Sequence, residues 1–404
     1  MRFRAPWLLL CQTAASLIIL ILVVWSLPKI ETLFTVHSVG GNKAAVRTEP
    51  FIPGTWRFIV SGDSRNCGDV VMPAIAAHSL RYTPSFYWHL GDLRAIYKID
   101  EDMEAASAND RQVLTCAAYN RRAWSDFIEN QIAPFGSTPF FVGIGNHEVI
   151  PPKTEEQFLS QFEGWLNSSP LRAQRLKDGE KEPLPTRSFY HWIQGGVDFI
   201  NLDNASGSFS KEQLDWFDQI LANDEPKNDR VLSVVVGMHE ALPDSIANAH
   251  SMCDDPTKVD GCVSGRHVYN ELLHFQDKKP VYLLASHSHF LMDRIFNNLP
   301  LNRRLPGWIV GTAGAIRYPL PANPPSNAKT DVYGYLLGTV QKTGVIQFDF
   351  QEVKEEDVPS GLWMRYQPGL VAWCFAHNSQ NRDPDAEEGS HLCTPPAAAA
   401  SRTP

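Results

Sequence analysis

The chain has 404 residues, 43% of them hydrophobic and 11% aromatic, and a formal net charge of -9. That composition suits a packed globular core and excludes a disordered polymer. The acidic balance argues against general affinity for nucleic acid, whose binders show a basic surface, so no nucleic-acid partner is expected; a phosphorylated ligand stays open, because a bound metal can dominate the field inside a site.

At the start of the chain, Arg2 and Arg4 precede an apolar run over residues 7–27, broken only by Gln12, Thr13, Ser16 and Ser26. About 20 apolar residues in a helix span the roughly 30 Å of a bilayer core. The run is longer than an ordinary signal-peptide core, and no small-x-small cleavage site follows it at Trp25, Ser26, Leu27 and Pro28. Residues 1–28 therefore read as a cytoplasmic stub and an uncleaved transmembrane signal anchor, with a removed signal peptide as the alternative. The two arginines stay cytoplasmic, which sends the rest outward, to a single-pass membrane protein with its C-terminal domain extracytoplasmic, periplasmic in preference to a secretory lumen.

Cysteine usage agrees with that topology. With Cys11 in the proposed span, Cys67, Cys116, Cys253, Cys262, Cys374 and Cys393 remain, an even number that permits three disulfides. Proximity favours Cys253 with Cys262 and Cys374 with Cys393, which leaves Cys67 with Cys116; reduced, scattered thiols are the alternative. No pair has the spacing of a zinc-thiolate site.

Residues 29–55 read as a polar linker and residues 56–376 as one layered α/β domain, in which short apolar runs alternate with helical patterns. Strands are expected at 58–61, 85–90, 140–144, 197–202, 232–237, 281–285 and 308–311, and helices at 70–78, 121–131, 155–166 and 211–221, the last capped by Ser208 or Ser210. A closing hairpin is expected over 334–340 and 345–350. Residues 97–120 and 170–186 read as insertions, and residues 377–404, rich in Pro, Ala and Ser, as a disordered tail with Cys393 as its one tether.

The chemistry lies where these runs end. Asp63, in Ser-Gly-Asp-Ser-Arg, closes the first strand, and Asp92, in His-Leu-Gly-Asp, closes the second. Asn146, His147 and Glu148 close the third in Gly-Ile-Gly-Asn-His-Glu. His239 follows the run 234–238, and His287 and His289 follow 283–285 in Ser-His-Ser-His. Ligands in open α/β sheets bind just outside the carboxyl ends of strands, so five strands would deliver oxygen and imidazole donors to one crevice. Singly, each is as easily a turn former or a helix cap.

In this order the motifs resemble the calcineurin-like metallophosphoesterase superfamily, whose pattern runs D-x-H, GD-x-x-D, GNH-D/E, a later His and GH-x-H. The resemblance spans residues 56–352. Softer echoes of the purple acid phosphatase branch lie in Phe199 to Asp203, Gln213 to Phe217, and Gly311 to Ala315. It implies a four-layer α/β/β/α sandwich and a catalytic domain over 56–376 that hydrolyses phosphomonoesters or phosphodiesters. It also implies two divalent or mixed-valence transition-metal ions (Mn, Fe or Zn), one on Asp63 and His289, the other on Asn146, His239 and His287, with Asp92 bridging. His147 would donate a proton or stabilise charge beside the phosphoryl group, oriented by Glu148. The substrate would be a phosphorylated small molecule or a lipid. Two departures stand out. Arg65 occupies the place of a ligating His, and arginine stays protonated and cannot ligate. The second motif lacks its later Asp, and Tyr97 comes two residues after the place of the purple acid phosphatase Tyr. Arg65 and Arg94 read either as phosphate binders or as structural partners of nearby carboxylates, and His78 and His89 as packing residues. The alternative function is a phosphate-ligand binding or sensor domain whose catalysis is weakened by Arg65.

Overall fold

The computed structural model describes residues 54–224, 230–247, 249–255, 257–378 and 393. The signal anchor expected over residues 1–28, the linker up to residue 53 and the tail beyond residue 378, Cys393 apart, lie outside the described residues. Among the described residues no helix is long and apolar enough to cross a membrane.

Two mixed sheets form the centre. Strands β1 (Trp56–Ser61), β2 (Tyr87–His89) and β3 (Phe140–Val142) run parallel, and β10 (Tyr333–Val340) and β11 (Ile346–Val353) add antiparallel, giving the order β11-β10-β1-β2-β3. The second sheet orders as β4-β5-β6-β7-β9-β8. Its inner strands β5 (Val197–Asn201), β6 (Ser233–Gly237), β7 (Val281–Ala285) and β9 (Gly307–Val310) are parallel. Its edges, β4 (Tyr190–Gln194) and β8 (Leu291–Asp293), are antiparallel. The central strands are buried on both faces, which is why they appear in sequence as unbroken apolar runs.

The sheets meet through aromatic rings. Phe141 stacks on Trp192 at 3.9 Å, Phe58 meets Phe199 edge-on at 5.0 Å, and Phe86 meets Trp192 edge-on at 5.3 Å. Such contacts add about 0.5–1.5 kcal/mol each beyond the area they bury. Outside the first sheet lie α1 (Gly68–Ser79), α2 (Glu101–Asn109), α3 (Cys116–Phe127) and the last helix, α9 (Ser360–Asn378). Outside the second pack α7 (Lys211–Asn223) and α8 (Val259–Gln276), whose buried side chains form a core with the far face of β5, β6 and β7. The helix expected at 155–166 is broken at Phe162 into α4 (Glu155–Gln161) and α5 (Glu163–Leu166). Ser210 is the cap of α7, accepting from the Gln213 amide.

The two expected insertions are structured. Residues 97–120 contain α2, and residues 170–186 contain most of α6 (Ser169–Lys177), after which Glu180 pairs with Arg175 and Arg187. The disulfides are Cys67–Cys374, Cys116–Cys393 and Cys253–Cys262. Only the last matches the pairing by proximity. The other two expected pairs are corrected because α9 returns across α1 and α2, setting buried Cys374 against Cys67 at the start of α1. Packing of distant segments, and not loop length, decided those partners.

Candidate metal centre

The loops after β1, β2, β3, β6 and β7 converge at one edge of the two sheets. Asp63, Asp92 and His287 all have left-handed backbones, with φ of 59°, 59° and 65°. Non-glycine residues adopt that region at a cost of roughly 1–3 kcal/mol each, and such strain collects where side chains must be aimed. The loops touch so closely that two glycines are required. Gly91 has φ of 97°, and a Cβ on it would lie 2.5 Å from the Gly145 nitrogen. A Cβ on Gly145 would lie 2.3 Å from Asp92 Oδ1 and 3.0 Å from the His239 ring.

Four donors converge on one point. His239 Nε2 lies 2.9 Å from Asn146 Oδ1, 3.1 Å from His287 Nδ1 and 3.2 Å from Asp92 Oδ1. Its Nδ1 sits 3.0 Å from both the Leu90 carbonyl and Ser286 Oγ. The carbonyl is only an acceptor, so Nδ1 carries the proton and Nε2 turns its lone pair toward the other donors. Acceptor-type atoms gathered this closely around one nitrogen suit a shared cation, either a proton or a metal ion. Burial works against a charge on His239, but Asp92 outweighs it and pushes the group up to about 9. Burial would likewise raise Asp92, yet the charges of His147 and His239 hold it well below the usual carboxylate range. Asp92, His239 and His287 form a group of metal-ligating type, with Asn146 Oδ1 as a fourth donor, and this chemistry fits a transition metal such as Mn, Fe or Zn.

The second group is Asp63, Asp92 and His289. Asp63 Oδ1 is 3.4 Å from His289 Nε2, and both Asp63 Oδ1 and Asp92 Oδ2 are buried without a hydrogen-bond partner. Here Arg65 intervenes. His289 Nδ1 donates to the Ile316 carbonyl at 2.6 Å, so its Nε2 accepts, and it accepts from Arg65 Nη2 at 3.1 Å. The lone pair a metal would need is already taken by a guanidinium. The carboxylates suit a cation, but with Arg65 in this position the group does not fit a second metal ion.

His147 stands beside the first group, its Nε2 3.5 Å from Asp92 Oδ2 and its Nδ1 2.5 Å from the Ala95 carbonyl. Burial and the Arg65 charge push it down to about 4. Glu148 does not orient His147, which corrects the sequence expectation. Its carboxylate accepts from the backbone amides of Asp92, Leu93 and Gly145 at 2.9, 3.0 and 2.8 Å, and so fastens the second motif to the third. Burial, reinforced by the Asp92 charge, pushes Glu148 up to about 8.

Arg94 is likewise settled as structural. It is fully buried and paired with Asp69, Asp102 and Asp126, with Asp100 at 3.9 Å. Asp100 and Asp102 open α2, so the expected insertion serves to hold the loop after β2. His89 and His78 pack as expected, bonded to Ser64 Oγ at 3.0 Å and the Tyr335 hydroxyl at 2.9 Å.

Several residues near the centre carry no sequence signal. Tyr318 stacks on His289 at 4.0 Å, and His250 stacks on Tyr318 at 4.7 Å and meets His287 at 5.2 Å. Asn204 brackets the backbone of Glu240 from both sides and so steadies the loop carrying His239. The segment after β9 pins Asp63, with Ala313 and Ala315 amides bonded to the Gly62 and Asp63 carbonyls at 3.0 and 2.9 Å. The echo at 311–315 is thus a segment that holds the loop carrying Asp63.

No family model matches the chain, and no curated protein sequence matches it. Among solved structures it is similar to a purple acid phosphatase from yellow lupin (Lupinus luteus) seeds, with a TM-score of 0.51 and 13% identity over 75% of this chain. This chain spans about half the length of that phosphatase, 52%. It is also similar to PhoD, with a TM-score of 0.44, 15% identity, and coverage of 83% of this chain and 79% of that one. A 5'-nucleotidase from Candida albicans gives a TM-score of 0.37 at 11% identity, covering 83% and 59%.

Proposed function

We propose that this chain, which has the fold of the calcineurin-like metallophosphoesterases, hydrolyses phosphomonoesters or phosphodiesters with a metal centre at its strand ends. The observation that carries this reading is the convergence of Asp92, Asn146 and His287 donors within 3.2 Å of His239 Nε2. A transition metal bound there would supply a hydroxide near neutral pH and polarise a phosphoryl oxygen. Asp92, Asn146, His239 and His287 would hold it. Leu90 and Ser286 fix the face that His239 presents, and Glu148 keeps the Asp92 and Asn146 loops in register. His147, with its Nδ1 proton committed to Ala95, exchanges a proton with a phosphoryl or leaving oxygen at Nε2 and only there.

The substrate proposed is a phosphorylated small molecule or lipid, met on the extracytoplasmic side of a membrane. Three disulfides support an oxidising compartment, and the apolar run at residues 7–27 supports an anchor. The reading of a binding or sensor domain draws on one observation, the contact of Arg65 with His289.

The test is hydrolysis of an aryl phosphate and an aryl phosphodiester by the metal-loaded protein. Asp92→Asn is expected to lower kcat/KM by about 100-fold or more while the fold survives. Wild-type turnover in a folded Asp92→Asn protein would refute the site. Phosphate binding without hydrolysis of either ester would select the sensor reading.

A further inference from the structure

We infer that the guanidinium of Arg65 is the resident cation of the Asp63, Asp92 and His289 group, so that the protein binds one transition-metal ion per chain, at Asp92, Asn146, His239 and His287. The inference rests on the metal-centre reading above and deepens it, replacing the two ions implied by sequence with one ion and one fixed organic cation.

Its basis is the way Arg65 is built into the site. Nη2 reaches His289 Nε2 at 3.1 Å and the Tyr318 hydroxyl at 3.2 Å, Nη1 lies 3.5 Å from the Tyr97 hydroxyl, and Nε faces Asp92 Oδ2 at 4.0 Å. Tyr318 in turn stacks flat on His289, at 4.0 Å and 13° between planes. Arg65, His289 and Tyr318 therefore make one packed unit, and swinging the arginine out would break both of its closest contacts. The side chain is only 4% exposed. A buried guanidinium cannot shed its proton and has to stay near compensating charge, and Asp63 and Asp92 supply it.

Protein and metal would compete here for the same electrons. The proton of His289 is fixed on Nδ1 by the Ile316 carbonyl, so Nε2 is the one lone pair the ring can offer. Arg65 already uses it. A dication placed between Asp63 Oδ1 and His289 Nε2 would also lie within a few ångströms of the guanidinium, where like charges in a poorly solvated pocket repel strongly. At the other group the contacts of His239 Nε2 are Asn146 Oδ1, His287 Nδ1 and Asp92 Oδ1, none of them a fixed cation. Arg65 would then offer a phosphoryl oxygen the positive charge that a second metal provides elsewhere, in a planar fork suited to phosphate.

The experiment is a metal count on the purified full-length chain, saturated with Mn²⁺ and freed of excess, paired with electron paramagnetic resonance. Wild type is expected to hold one Mn²⁺ with an uncoupled spectrum, and Arg65→His two with exchange coupling. His289→Ala should retain its single ion and His239→Ala should lose it, a comparison that decides the matter even where Arg65→His does not fold. Two coupled ions in wild type would overturn the inference and leave the hydrolase reading intact. A single ion in a folded Arg65→His, or loss of the ion in His289→Ala, would overturn it as well. No ion in wild type would overturn both readings.

Discussion

The proton on His147 Nδ1 is held by the Ala95 carbonyl at 2.5 Å, while the next residue, Glu148, spends its carboxylate on three backbone amides. Adjacent positions thus carry different burdens, and their variants should separate. His147→Ala is expected to lower kcat by about 100-fold to 10,000-fold with metal content unchanged, since proton transfer by a positioned side chain is worth that much. Glu148→Gln replaces one acceptor oxygen with a donor and leaves a buried amide without its partner. A loss of roughly 1–3 kcal/mol in stability is expected, read by chemical denaturation. Equal stability of Glu148→Gln and wild type would show that the carboxylate does not hold the loops. Asp63, Asp92, Asn146, His147, His239, His287 and His289 were legible in the sequence because each follows an apolar run that ends in a strand. The orienting role of Glu148 was implied by the family resemblance, whereas its carboxylate is taken up by the amides of Asp92, Leu93 and Gly145. Tyr318 and His250 were not legible, since they reach the centre from coil that has no periodicity.

Among the elements, the antiparallel edge β4–β5 is tied to the end of α6 through one imidazole. His191 on β4 contacts Asp198 on β5 at 2.8 Å and Asp178, just after α6, also at 2.8 Å. Burial disfavours its charge, but the two carboxylates prevail and push it up to about 10. Asp224, which ends α7, is pushed up to about 9 by burial and by the Asp198 charge. Both shifts have one sign. The folded protein holds protons that the unfolded chain releases, so stability is full below pH ~6.5 for His191 and falls as pH climbs through about 10. Thermal unfolding between pH 6 and 10 should show a loss on the order of a few kcal/mol, and His191→Gln should flatten the profile. An unchanged slope in that variant would contradict the assignment. The central strands were readable to within a few residues, and β7 at both ends, because burial on both faces makes them continuous apolar runs. Four helices were not expected: α2 and α6 lie in segments that read as insertions, and α8 and α9 were missed for physical reasons. Helix α8 turns Val259 and Val263 outward at 62% and 65% exposure, which scrambles its apolar period. Helix α9 contains Pro368 and Gly369, which sequence rules read as a break.

Across the whole molecule, two sheets with separate outer cores present their strand ends to one crevice. Bonds across the sheet boundary lock that alignment, as from Gly62 nitrogen to the Val310 carbonyl at 3.1 Å and from Ser286 Oγ to the Leu90 carbonyl at 3.1 Å. The disulfides Cys67–Cys374 and Cys116–Cys393 join segments 307 and 277 residues apart, a pairing set by tertiary packing that no local rule could supply. The central claim is that donors from both sheets surround one metal ion. Anomalous diffraction from crystals of the chain grown with Mn²⁺ tests it most directly. A peak bounded by Asp92, Asn146 Oδ1, His239 Nε2 and His287 Nδ1 is expected. A peak elsewhere, or a site left without ion at saturating Mn²⁺, would contradict it.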